Sequence, residues 1–345
     1  MKFLNSLFLF LAISSISLAQ KSVKVGAIGF YNFENLFDTE DEPGKFDEEF
    51  TPTGKRLWTD DIYWEKQTNL AKVVSELGTE LSPDGLAILG VAEVENRKVL
   101  EDFVQQDAIK DRNYQIIHYE SPDRRGIDVG LLYQSKYFQV TESKAIPLMI
   151  YNDAGERVFT RDILLVGGTF DGDPLYVLVN HWPSRSGGES ATRAFRNAGA
   201  LRNKEISDSL TTINPASKVI IMGDLNDDPV SPSLKKVIRA QAKADRVRPK
   251  GFYNPMYEYY KKGFGTLAYR DAWSLFDQIL LNYPIVSGKA DGYRYYRAHI
   301  HNPSYLIQKK GKYKGYPFRT FDFDNYMGGY SDHYPVYVYL VKEVE

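Results

Sequence analysis

The sequence predicts an α/β protein in which two sheets pack together and helices lie outside them. Three observations carry this. Short apolar runs of strand length are mixed with segments whose apolar residues recur at helical spacing. A strand–helix–strand order opens near residues 23–91 and returns near 175–222. No low-complexity linker separates these blocks, and 43% of residues are apolar. Residues 20–345 therefore read as a single domain with a sizeable core.

The elements follow in order. Residues 23–31 read as the first strand, ending at Asn32-Phe33-Glu34-Asn35, and residues 38–54 as an acidic, solvated loop. Over 60–77, Ile62, Leu70, Val73, Val74 and Leu77 share a helical period, with Thr59 or Asp60 as cap and Gly78 as stop. The apolar run 86–91 stops at Ala92-Glu93-Val94-Glu95-Asn96, and a second helix is expected over 97–109. Strands are expected over 114–119, 127–133, 138–147, 158–169 and 175–180, some joined by turns such as Asp153-Ala154-Gly155. A long helix over 190–210 places Ala194, Ala198, Leu201 and Ile206 on one side. Then come a strand at 218–222, a short helix at 232–239 and a Tyr-, Gly- and Lys-rich loop at 240–271. A strand at 276–282, an irregular Tyr- and Arg-rich stretch at 291–323 and a last strand at 334–340 complete the chain. Pro335 stands near the start of that strand, where proline is tolerated.

Composition narrows the classes. Residues 1–19 resemble a signal peptide: Lys2, an apolar run to Leu18, and Ser17-Leu18-Ala19 as a small-x-small cleavage site. The expectation is an exported, periplasmic or extracellular protein with no stable membrane insertion. There is no cysteine, which excludes disulfides and Cys-ligated zinc. The formal charge of −2 shows no overall basic footprint, although a local basic cleft is compatible with it. No protein partner is predicted, and the chain reads as a monomer.

Polar residues capable of phosphate or metal chemistry cluster at strand ends: Asn32, Glu93, Asn180-His181, Asp224 with Asn226, Asp277, and Ser331-Asp332-His333. In α/β sheets, the loops at one end of the strands commonly gather a site. Structural readings stand beside each. Asp224 and Asn226 suit a strand-end turn and helix cap, Glu93 suits a helix start, and His181 before Trp182 suits a buried structural histidine. His118, His299 and His301 belong to no motif. Asp227 and Asp228 read as turn and cap residues, and Arg193 and Arg196 as a solvated helix face.

Seven stretches, in order, are YNFENLFD (31–38), LGVAEVEN (89–96), RRGIDVGLLY (124–133), NHWPSR (180–185), IIMGDLND (220–227), FDQILLN (276–282) and SDHYPV (331–336). Together they resemble the endonuclease/exonuclease/phosphatase superfamily, in a secreted bacterial-type, deoxyribonuclease I-like form. The resemblance implies a four-layer α/β/β/α sandwich and a divalent-metal-dependent phosphodiesterase using Mg2+, with Mn2+ or Ca2+ as alternatives. It implies that Glu93 binds the ion with Asn32 beside it and Asp332 near it. Asp224 and Asn226 would position water and phosphate, His333 would pair with Asp277, and His181 would be a second active-site histidine. Arg161 resembles a phosphate-facing arginine, and a loose match has Asp128 orienting His181. Among the remaining arginines, Arg185, close behind His181, is the phosphate-contact candidate.

The chemistry of these residue types agrees. Hard divalent ions take oxygen ligands and often need only one or two carboxylates. An Asp–His pair holds an imidazole in place and stabilises its cation. The reading is an endonuclease on DNA or RNA. A sphingomyelinase-like or inositol-phosphatase-like hydrolase is the alternative, and a non-catalytic nucleic-acid or protein binding module is the alternative outside enzymes.

Overall fold

The computed structural model describes residues 22–289 and 291–344. The proposed signal peptide at 1–19 lies outside the described residues. The first sheet has six strands in the order Arg294–Ile300, Val336–Val344, Ser22–Leu36, Ile88–Val94, Asp128–Gln134 and Tyr114–His118. The second has seven: Ala240–Gln241, Phe252–Tyr253, Asp277–Asn282, Lys218–Asp224, Asp173–His181, Ile163–Phe170 and Phe138–Ile146. Both are mixed. Ser22–Leu36 runs parallel to Ile88–Val94 in one, and Asp173–His181 parallel to Lys218–Asp224 in the other.

Side-chain alternation sets the layers. Ile28, Phe30, Ile88, Val177, Val179, Ile220, Met222, Ile279 and Leu281 form one cluster between the sheets. The intervening residues Tyr31, Phe33, Leu89 and Val91 face helices α1 (Asp60–Glu76) and α2 (Arg97–Val104) through Leu70, Val73, Leu100 and Phe103. Val219, Ile221 and Leu178 face α3 (Glu189–Ile213) through Ala200 and Ile206. The result is helix, sheet, sheet, helix, the four-layer sandwich expected. Each buried Leu, Ile or Phe contributes roughly 1.5–3 kcal/mol, so the inter-sheet cluster and the cluster under α1 and α2 both contribute heavily to the stability of the framework. The sheets approach closely at Gly90, where an added Cβ would lie 2.6 Å from Met222 Sδ.

Local signals explain the helices. In α1, Thr59 is extended at the cap, Asp60 and Asp61 sit in the first turn where the helix dipole favours them, and Gly78 follows at φ 77°. In α2, the Asn96 side chain accepts from Val99 N, a helix N-cap.

Several expectations change. The second helix stops at Val104 rather than 109. The expected strand 158–169 is broken: Arg157–Val158 pairs with Ile150–Tyr151, and the sheet strand begins only at Ile163. The break lies where Arg161 turns inward. The expected loop 240–271 contains two short strands of the second sheet and a helix at Met256–Lys261. The irregular stretch 291–323 supplies Arg294–Ile300, an edge strand of the first sheet. Its many tyrosines hid the period-2 pattern.

Candidate active site

In the second sheet, Asp224 pairs with His181 on one side and with Asp277 on the other. Residues directly paired across strands point to the same face, and this face is the one that carries Ile220, Met222, Val179 and Ile279 toward the first sheet. Three chemically active side chains therefore hang from a single rung at the end of the inter-sheet core. Gly223 makes the approach possible. Its φ is 152°, and a Cβ there would meet Asn180 O at 2.1 Å.

The first sheet answers with Asn32, on the same inward face as Ile28 and Phe30. Its Nδ2 donates to Glu93 Oε1 at 3.1 Å and to Asp224 Oδ2 at 3.2 Å, and its Oδ1 accepts from Glu34 N at 2.9 Å. By plain alternation Glu93 would point outward with Leu89 and Val91. A β-bulge turns it. The register slips between Ala92 and Val94, and Glu93 has φ 58°. The neighbouring strand slips as well, between Asn32 and Leu36, with Glu34 at φ 50° and Asn35 at φ 53°. Asn35 N then donates to Glu93 Oε2 at 3.0 Å. Left-handed backbone costs a residue with a side chain roughly 1–2 kcal/mol, so the strain is concentrated around this carboxylate.

His333 follows the Ser331–Asp332 turn. Ser331 Oγ donates to Asn32 O at 2.7 Å and accepts from His333 N at 3.0 Å. His333 Nδ1 lies 2.7 Å from Asp277 Oδ2, and its Nε2 is 3.8 Å from Asp224 Oδ2. Burial alone would lower the His333 pKa, but Asp277, Asp224 and Asp332 together hold it well above the usual range. His181 behaves oppositely. Burial, Arg161, Arg125 and His333 push it well below the usual range, so its ring is neutral. Its Nε2 is 3.6 Å from Asp224 Oδ2 and 3.8 Å from Glu93 Oε1. Burial raises the Asp224 pKa, with Asp277 and Glu93 adding to the rise and the His333 charge opposing it.

Among the described residues there are three donor groups, one of them His118, Glu120 and Asp128, and two share Asp224: Glu93, His181 and Asp224, and Asp224, Asp277 and His333. Within each group the ligand atoms lie within 4.8 Å of one another. The Glu93 and Asp224 carboxylates suit a hard divalent ion, which takes oxygen ligands, and Glu93 keeps part of its surface open; the neutral His181 ring stands beside them.

Other expected residues lie elsewhere. Arg161 does not face the cleft. It is buried, donating to His181 O, Trp182 O and Asp123 Oδ2 at 3.1, 2.7 and 2.8 Å. It fixes the chain behind His181, and every nitrogen is used. Arg185 donates to Asn226 O and pairs with Asp227 and Asp228, over the ring of Phe276. Asp128 does not reach His181. It contacts His118 Nε2 at 3.1 Å and accepts from Ser121 N. Asp332 Oδ2 is taken by Arg319 at 2.9 Å, which also pairs with Glu34. Asn32 presents its NH2 group to the carboxylates and so orients ligands. Asn226, at φ 49°, donates from its amide to Trp182 O and from its backbone N to Asp224 Oδ1. Arg196 is not on a solvated face: it is wholly buried and paired with Asp227 at 2.8 Å, an ion pair that pins α3 to the loop after Asn226.

Sequence reading missed the support around the site. Lys66 is wholly buried beneath Glu34, Arg319 and Asp332. Burial pushes it down to about 8 against the pull of the two carboxylates. Its place in the middle of an amphipathic helix gave no signal. The bulge residues Glu34 and Asn35 were visible only as polar residues closing a strand.

The Endonuclease/Exonuclease/phosphatase family model matches residues 27–342. No curated protein sequence matches the chain. Among solved structures, TDP2 of D. rerio, complexed with a single-strand DNA product, is 15% identical at a TM-score of 0.52, covering 92% of this chain and 98% of that one. An endonuclease/exonuclease/phosphatase family protein from Bacteroides thetaiotaomicron is 14% identical at 0.54, covering 94% and 98%. A mannosyl-6-phosphatase from Bacteroides thetaiotaomicron is 15% identical at 0.53, covering 91% and 99%. These likenesses show the fold, and the match along nearly all of the described residues shows the family: the chain belongs to the endonuclease/exonuclease/phosphatase family, whose members are phosphoester hydrolases.

Proposed function

We propose that this protein is a divalent-metal-dependent phosphodiester hydrolase, an exported endonuclease acting on DNA or RNA. The observation that carries the reading is the rung His181–Asp224–Asp277 meeting Glu93 and His333 at the end of the inter-sheet core. Glu93, held by Asn32 Nδ2 and Asn35 N, would hold Mg2+, Mn2+ or Ca2+. Such an ion neutralises charge on phosphoryl and leaving oxygens.

The chain's own residues do the rest. Asn32 and Asn35 N hold the Glu93 carboxylate still. Asp224, which faces His181 and His333 from the centre of the rung, takes a proton from the attacking water. Asn226 and Asn32 fix that carboxylate. The His333 cation, held by Asp277, faces the charge that develops and returns a proton to the leaving oxygen as the phosphorus–oxygen bond breaks. Neutral His181 donates a hydrogen bond to a phosphoryl oxygen. One water is consumed, and a phosphomonoester and an alcohol are released.

The test is hydrolysis of a bis-aryl phosphodiester by the purified protein. Turnover with Mg2+ or Mn2+ that stops with chelator and returns with fresh metal is expected, and chelator-resistant turnover overturns the reading. A panel of plasmid DNA, RNA, sphingomyelin and inositol phosphates ranks substrates. Export is tested by cell fractionation with N-terminal sequencing, where a chain beginning at Gln20 is expected.

A further inference from the structure

Between Ile307 and Arg319 the sequence carries Lys309, Lys310, Lys312, Lys314 and Arg319 and no acid. The segment is built as a hairpin. Ile307 bridges Pro317, Gln308 N donates to Tyr316 O at 2.8 Å, and Gly315 N donates to Gln308 O at 2.8 Å. All four lysines are exposed, and among the described residues no carboxylate forms an ion pair with any of them. Four lysines without a carboxylate partner on a single hairpin leave a concentrated positive field, one of them, Lys312, with its Nζ 5.3 Å from the centre of the Tyr313 ring.

This field is joined to the catalytic cluster in two ways. Arg319, at the hairpin's foot, pairs with Asp332 and Glu34. A row of rings also leads back to the histidine: Tyr313 lies 5.6 Å from Tyr316, Tyr316 6.3 Å from Trp273, and Trp273 stacks on Tyr334 at 5.9 Å and 19°. Tyr334 is the residue after His333. Trp273 remains 39% exposed. Alongside runs a cavity of about 270 Å³ whose lining includes Asn35, Arg56, Tyr313 and Arg319 together with the carboxylates of Glu34 and Asp322, and Asn35 is the residue whose backbone N holds Glu93.

We infer that the hairpin 307–317 is a docking arm for a single-stranded polynucleotide, whose phosphates the lysines hold while its bases stack along Tyr313, Tyr316 and Trp273 toward the scissile bond. This rests on the phosphodiesterase reading above and names the substrate class of that site. Unpaired cations tracking a backbone, interleaved with open ring faces, are the physical requirements for binding a single strand without sequence preference. Duplex bases would be closed to those rings. A single small phosphoester would engage only the catalytic cluster and leave the hairpin unused.

The test uses the full chain with Lys309→Gln, Lys310→Gln, Lys312→Gln and Lys314→Gln combined, and separately Tyr313→Ala, each checked by thermal melting. Binding of a labelled single-stranded oligonucleotide is titrated in chelator at several salt concentrations. Each lysine that neutralises a phosphate contributes about 0.7 to the log–log salt slope on single strands. The fourfold variant is expected to lose about 3 from that slope and roughly tenfold or more in affinity at moderate salt. Tyr313→Ala is expected to lose roughly fivefold or more with the slope unchanged. Hydrolysis of bis-nitrophenyl phosphate should be the same in all three proteins. Wild-type affinity and slope in the fourfold variant overturn the arm. So does equal binding of duplex and single strand by the wild type, or a fourfold variant that loses only cosedimentation with phosphatidylserine vesicles. Failure of the phosphodiesterase reading shows separately, as absence of bis-nitrophenyl phosphate turnover in the wild type.

Discussion

In the second sheet, ordinary alternation carries His181, Asp224 and Asp277 into the cleft on one rung. In the first sheet, alternation delivers only Asn32. Glu93 arrives through a bulge, with left-handed backbone at Glu34 and Asn35 on the neighbouring strand and at Glu93 itself. One half of the site is therefore a product of regular pairing, and the other is held in place against local strain. Regular pairing is rigid and inexpensive in free energy, but it places side chains only at fixed intervals. A bulge can place a carboxylate between those intervals, and it depends on hydrogen bonds that hold the turn.

This contrast can be broken from either side. The largest effect belongs to the regular half. Asp224→Asn and His333→Ala should each lower turnover roughly a thousandfold or more with the fold retained, as read by steady-state rates and far-ultraviolet circular dichroism. Near-normal rates in either variant would remove the residue from the mechanism. Next is the backbone of the same rung. Gly223→Ala forces a Cβ against Asn180 O and should destabilise the protein by about 3 kcal/mol, visible as a lower denaturant midpoint. The strained half is tested by Asn32→Ala, which frees Glu93 Oε1. The metal concentration for half-maximal turnover should rise tenfold to a hundredfold, with a smaller fall in the saturated rate because Asn32 also holds Asp224.

The smallest effect concerns a carboxyl just beyond the bulge. Burial pushes Glu95 up to about 9, with Asp38 and Asp47 adding to the rise. The folded protein keeps this proton up to about pH 9, whereas the unfolded chain releases it near its ordinary value. Between those values the folded state binds more protons, so its stability falls as pH rises across that window. Glu95→Gln should match the wild type near pH 4 and be more stable at pH 9, by on the order of 2 kcal/mol. Equal midpoints at both pH values would show that Glu95 ionises freely in the fold.

The same contrast decides what could be read from the sequence. Asp224 and His181 end apolar strands and Asp277 opens one, with a spacing that puts them on the core-facing side, so strand and site were legible together. Glu93 was legible as a residue but not in its direction, because period-2 reading sends it outward. The arginines were the hardest. Arg161, Arg185 and Arg196 look like phosphate contacts or solvent-facing residues in a linear chain. Their burial against His181 O, Asp227 and Asp228 depends on tertiary neighbours that local pattern does not contain. The strand Arg294–Ile300 escaped for a related reason: on a sheet edge, tyrosines and arginines occupy both faces.

Because His181, Asp224 and Asp277 share one hydrogen-bonded rung, their spacing follows from the distance between neighbouring strands, about 4.8 Å, and not from any loop. The amides of the strands Lys218–Asp224 and Asp277–Asn282 should therefore exchange with solvent deuterium only through opening of the whole sheet, while those of the hairpin 307–317 exchange through local fluctuation. For this rung, geometry and global stability are then one quantity, and loops apart from the Glu93 bulge and the Ser331–His333 turn are free to vary without disturbing either.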